Sequence, residues 1–140
     1  MSKPDSVKRM IDSRRLYRLE SDLYGHPPFE PITKQLSIDT LRRLGRFIWK
    51  QERSKQNPPV IKFGKGVVHS GEYYSWCDGD TIELAPTQRD KLTLIHELVH
   101  ALGYENHDER FVRRYRQLLK KYAPVDAELI EEKFQELTEE

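Results

Sequence analysis

Residues 94–102 read Leu94-Ile95-His96-Glu97-Leu98-Val99-His100-Ala101-Leu102. Apolar residues surround a histidine, a glutamate and a second histidine four positions after the first. The apolar positions continue back to Leu92 and predict a helix that starts at a Thr87 cap and ends at Gly103, since glycine takes the left-handed C′ conformation without steric cost. Side chains four apart on a helix project from nearly the same face, one turn along the axis. His96 and His100 can therefore converge on one point, with Glu97 beside them. Two imidazoles and a carboxylate among apolar neighbours are costly to bury without compensation.

A metal ion supplies that compensation. The pattern H-E-x-x-H places two zinc-ligating histidines on one helix face and a general base next to them, as in metalloproteases. Zinc lowers the pKa of a bound water, and the carboxylate can accept its proton as the water attacks a carbonyl. A catalytic zinc site needs a third protein ligand. His107, just beyond the turn at Gly103, is the leading candidate, and Glu105, Asp108 and Glu109 are the oxygen alternatives. His100 to His107 differs from the metzincin extension H-E-x-x-H-x-x-G-x-x-H, because the last histidine comes one residue late and Asn106 stands in its place.

Working outward, Asp108 or Asn106 can cap a helix bearing Phe111, Val112, Tyr115, Leu118 and Leu119, and Pro124 ends it. Asp126 opens a last helix with Leu129, Ile130, Phe134 and Leu137 on one stripe. Before the motif, Val60–Phe63, Val67–His69, Tyr73–Cys77 and Thr81–Leu84 are rich in strand formers, with Asp78-Gly79-Asp80 as a hairpin turn. They predict a small, mainly antiparallel sheet of about three strands. Ser37 can cap a helix carrying Leu41, Leu44 and Ile48, with Phe47 and Trp49 flanking the stripe. Residues 6–24 predict an N-terminal helix with Val7, Met10, Ile11, Tyr17 and Tyr24 on one side, stopped by Gly25-His26-Pro27-Pro28. The expected fold is α+β: a loose tail over residues 1–5 and a single catalytic domain over 6–140, closed by an acidic helix at 124–140.

Composition sets limits. The chain has 140 residues, 36% hydrophobic and 34% charged, which fits one domain with a lean core. No apolar run approaches a membrane span and the N-terminus lacks a secretory pattern, so a cytoplasmic protein with no membrane contact is expected. Cys77 is the only cysteine, which excludes an internal disulfide and a cysteine-based zinc ribbon. Net charge is +1, but residues 124–140 hold seven acidic side chains and one basic one. The remainder is basic. Arg110, Arg113, Arg114, Arg116, Lys120 and Lys121 follow the motif closely, which leaves proximity to nucleic acid open beside the simpler reading of a solvated helix surface. The oligomeric state is not legible.

The stretch Ile82 to Leu119 resembles the SprT-like and related small zinc metallohydrolases of bacteria, actinobacteria and their phages. Ile82-Glu83-Leu84-Ala85-Pro86 with Arg89, the motif helix itself, and His107-Asp108-Glu109-Arg110-Phe111 followed by Tyr115 and Leu118-Leu119 carry the resemblance. Arg15, Tyr17 and Glu20 are similar to the R-x-Y-x-x-E opening of the actinobacterial members. The resemblance implies a zincin-like minimal metallopeptidase fold, a Zn2+ cofactor held by His96, His100 and His107, Glu97 as general base, and a protein or peptide substrate. Here Asp108 follows the third histidine where a glycine is frequent in those families.

The strand before a zincin motif helix often offers an edge for an extended substrate, and Thr81 to Ala85 is the candidate. Tyr104, Tyr115, His69, Tyr73 and Tyr74 are candidates for a group that stabilises an oxyanion. His26 and His69 read as loop, Trp49 and Trp76 as core aromatics, Cys77 as an inert thiol, and Asp108 as either a helix cap or a residue orienting a ligand histidine. Two rival functions stay open. One is a zinc-dependent endoribonuclease-like hydrolase, because His100 to His107 with Gly103-Tyr104 is similar to a bacterial RNA-processing element that lacks the glutamate. The other is a metal-stabilised interaction module without turnover.

Overall fold

A computed structural model of the chain describes residues 14–53, 56–69 and 71–138. The expected tail at 1–5 and the first helical positions, Val7, Met10 and Ile11, lie outside the described residues, as do the side chains of His69 and Leu137. The architecture is α+β. Helix α1 covers 14–23 and buries Leu16, Leu19 and Leu23. Gly25, at φ +81°, turns the chain into a 3-10 turn at Pro27–Phe29 and the short α2 at Glu30–Thr33, a segment that anchors Phe29 and Ile32 in the core. Helix α3, Ile38–Glu52, is capped by Ser37, whose hydroxyl accepts from the Thr40 amide, and buries Leu41, Gly45, Ile48 and Trp49. Phe47 stays on the exposed side.

Five strands follow: β1 Val60–Phe63, β2 Val67–His69, β3 Glu72–Tyr74, β4 Trp76–Cys77 and β5 Thr81–Leu84. They form two sheets, not one. The larger has the order β1-β5-β4, with β1 parallel to β5 and β4 antiparallel to it. The smaller is the β2–β3 hairpin. The expected mainly antiparallel sheet is thus corrected to a mixed one. Local turns predicted hairpin pairing, but the chain leaves β1 through the β2–β3 excursion and returns so that Ile61 registers with Ile82 and Phe63 with Leu84. That register puts Ile61, Ile82 and Leu84 in the core. The Asp78-Gly79-Asp80 turn does join β4 to β5, with the Asp78 carboxylate accepting from the Asp80 and Thr81 amides. β5 is paired on both sides, so Thr81 to Ala85 cannot serve as the expected free edge; β1 and β4 are the outer strands of that sheet.

Helix α4, Lys91–Ala101, runs through the centre and buries seven residues from Leu92 to Val99. Its cap is Asp90, not Thr87. The Asp90 carboxylate accepts from the Thr93 amide, whereas Thr87 sits in the preceding turn at φ +69°. Arg89 secures that turn by donating to Leu84 and Gly64 carbonyls while lying over the Phe63 ring. At the other end Gly103, at φ +115°, lets the Tyr104 amide reach back to the Val99 carbonyl, which closes the helix. Asp108 caps α5, Glu109–Tyr122, by accepting from the Phe111 amide. Phe111, Val112, Tyr115, Leu118 and Leu119 bury its inner face, and Ile130 and Phe134 of α6, Ala127–Thr138, pack onto it. No helix among the described residues is long and apolar enough to cross a membrane.

Candidate metal centre

The turn at Gly103 brings the start of α5 back across the exposed side of α4. His96 and His100 stand one turn apart with ring centroids 5.2 Å apart, and His107 enters from the far side of the turn. The Nε2 atom of His107 lies 3.1 Å from Nε2 of His96 and 3.0 Å from Nε2 of His100. Among the described residues these three are the histidine, cysteine or carboxylate side chains whose ligand atoms converge, all within 4.8 Å of one another. Of the oxygen alternatives, Asp108 is occupied as a cap, Glu109 is exposed in the first turn of α5, and Glu105 only lines the cleft.

The chemistry of the donor set suits a divalent ion. The Nδ1 atom of His100 is 2.8 Å from the Tyr104 carbonyl, and Nδ1 of His96 is 2.5 Å from Oε2 of Glu20. Both partners are acceptors, so both Nδ1 atoms carry protons and both Nε2 atoms face the centre. Nitrogen ligands about 2.0–2.1 Å from a tetrahedral zinc lie roughly 3.3 Å apart, close to the spacing found here. The three rings differ in their electrostatics. Burial disfavours an imidazolium at His96, but Glu20 and Glu97 overcome it and hold the group up to about 9. Burial and the charge at His96 push His100 down to about 4 and His107 to about 3. A charge at His96 thus disfavours a charge on either of the other two rings.

Glu97 is 6% exposed and lines the same cleft. Burial pushes its carboxyl up to about 7, with His96 acting in the opposite sense. A carboxyl poised near neutrality can both take and return a proton. The cleft has a volume of about 630 Å³ and runs along α4 from the histidines past Thr93, between α1 on one side and Trp76, Cys77 and Gln88 on the other. Phe111 packs against the histidines from the core, its ring centroid 4.7–5.0 Å from those of all three imidazoles.

The oxyanion candidates disperse. Tyr115 is fully buried behind His96 and donates to Glu20. Tyr104 is tied to the centre through its backbone carbonyl. Tyr73 is exposed on the hairpin, and Tyr74 lines the cleft with its hydroxyl on Glu72. His69 ends β2. Tyr17 lines the cleft beside the histidines. Its ring stacks 6.4 Å from His96 and meets His107 edge-on at 5.3 Å, it is 48% exposed, and burial with Glu20 and Glu97 nearby raises its hydroxyl to about 12. The sequence marks Glu20 only through the resemblance at the N-terminus, and Tyr17 through that and the stripe of the N-terminal helix. Their three-residue spacing puts both on one helix face, but nothing local says that this face meets the histidines. Cys77 is half-buried at the cleft wall, its thiol raised to about 11 by burial, with the sulfur accepting from the Gly79 amide. His26 precedes the 3-10 turn and stands apart from the site.

No protein-family model matches the chain, and neither a curated protein nor a solved structure matches it.

Proposed function

We propose that this chain is a zinc-dependent hydrolase of the zincin type, acting on peptide bonds. One observation carries the reading: three imidazole nitrogens 3.0–3.1 Å apart across His107, beside a buried carboxylate, at the wall of an open cleft. His96, His100 and His107 would hold the zinc, which when bound supplies Lewis acidity and makes water a nucleophile near neutral pH. Glu97 accepts the proton of the attacking water and delivers it to the departing amine. Tyr17 donates its hydroxyl proton in a hydrogen bond to the carbonyl oxygen as charge develops there. The outer side of β4, with Trp76 and Cys77 on the cleft, gives an extended peptide a strand to lie against.

Glu97 favours this reading over the two rivals, since the similar RNA-processing element lacks that glutamate and a purely structural metal site has no need of a base. The basic helix also lends little to a nucleic-acid substrate. Arg110 pairs with Asp108, Arg114 and Lys121 with Glu52, and Arg116 and Lys120 with Glu131. The test compares wild type with Glu97→Gln after zinc loading, reading zinc content and casein cleavage together. Equal zinc with cleavage only by wild type supports the assignment. Cleavage at equal rates by both proteins, or no hydrolysis of any peptide by zinc-loaded wild type, overturns it.

A further inference from the structure

We propose that the N-terminal helix is a working part of the metal centre: Glu20 is a positioning residue that sets the orientation and donor strength of His96, and Tyr115 locks Glu20 in place. The inference rests on the metal-centre reading above and goes beyond its ligand set. Glu20 lies 76 residues before His96 in the sequence, yet its Oε2 atom takes both the His96 Nδ1 proton and, at 2.7 Å, the Tyr115 hydroxyl proton. Its side chain is 15% exposed. Tyr115 cannot turn away, because its ring is fully buried between His96 at 5.3 Å, Phe111 at 5.7 Å and Phe134 at 5.6 Å.

Two features separate this role from a simple tether of α1 to the core. First, a carboxylate is a costly choice for a tether, since burying a charge needs compensation that a neutral acceptor does not. The comparison lies within the site: the Tyr104 carbonyl performs the same task for His100 without a charge. Second, both donors converge on one oxygen atom, so the tyrosine fixes the carboxylate where it faces Nδ1. A carboxylate on the outer nitrogen of a ligating histidine holds the tautomer and raises the basicity of the inner nitrogen.

The test uses the full chain and Zn2+ as probe. Zinc affinity is measured by chelator competition, apo stability by melting in EDTA, and the His96 tautomer by long-range proton–nitrogen NMR. Glu20→Gln keeps the shape and an acceptor oxygen but removes the charge. It should bind zinc about 10- to 100-fold more weakly with its apo melting point within a few degrees of wild type. Tyr115→Phe keeps the ring and frees the carboxylate, and should weaken zinc binding severalfold with mixed His96 tautomers. If Glu20→Gln fails to fold, the Tyr115→Phe result decides. Wild-type zinc affinity and a single His96 tautomer in the folded variants would overturn the proposal while leaving the metal centre standing. A wild-type chain that takes up no zinc would remove both.

Discussion

Replacing Asp90 by asparagine should make the protein more stable than wild type at neutral pH and nearly equal to it in acid. Asp90 is fully buried at the start of α4. Its Oδ1 accepts from the Thr93 amide at 2.7 Å, and its Oδ2 accepts from the Tyr24 hydroxyl at 2.6 Å and the Gln35 amide at 3.4 Å. Burial outweighs these donors and raises the carboxyl from its ordinary 3.8 to about 6. A group raised in the folded state binds its proton more firmly there than in the unfolded chain. Its contribution is then fully present below pH 3.8 and is lost as pH rises to about 6. At about 1.4 kcal/mol per pH unit, the loss comes to about 3 kcal/mol. Asparagine keeps the cap and carries no charge, so the advantage of the variant should grow by about 3 kcal/mol between pH 3.5 and pH 7. Urea unfolding followed by circular dichroism, in EDTA so that bound metal contributes nothing, measures it. Parallel pH profiles for the two proteins, or a variant that loses ground towards neutrality, would refute the reasoning. The second result would mean that the helix N-terminus and the three donor contacts stabilise the carboxylate more than burial destabilises it.

Three further outcomes are expected. Phe111→Ala removes a fully buried ring that packs against all three histidines, and should cost about 3–5 kcal/mol in urea unfolding and weaken zinc uptake. Tyr17→Phe should leave zinc content and KM close to wild type and lower kcat about 100-fold in a peptide-cleavage assay, since only a hydroxyl that acts in the transition state is lost. Gly66→Ala forces a side chain into a left-handed position at φ +80°, with its Cβ 2.2 Å from the Tyr74 carbonyl oxygen. It should cost at least about 1–2 kcal/mol and disturb amide shifts in the β2–β3 hairpin first.

What the sequence disclosed was local. The four-residue spacing of His96 and His100, the glycine that ends α4 and the aspartate that opens α5 are short-range signals, and together they bring His107 to the other two. The stripes of α3, α5 and α6 were legible for the same reason. Pairing of β1 with β5 was not, because strand partners are chosen by burial of Ile61, Ile82 and Leu84 across a separation of 21 residues and not by the turns between them. Thr87 and Asp90 are both acceptable caps by residue type, aspartate the better. The difference lies in Tyr24 and Gln35, which reach Asp90 from distant segments. Glu20 escapes a local reading altogether, since its meaning depends on His96 and Tyr115, 76 and 95 positions away.

X-ray absorption at the zinc edge on protein loaded with one equivalent of Zn2+ addresses the centre itself. The account predicts one zinc per chain with three imidazole nitrogens at about 2.0–2.1 Å and one oxygen, and loss of one nitrogen in His107→Ala. A chain that retains no zinc, or a shell unchanged when His107 is removed, would contradict it.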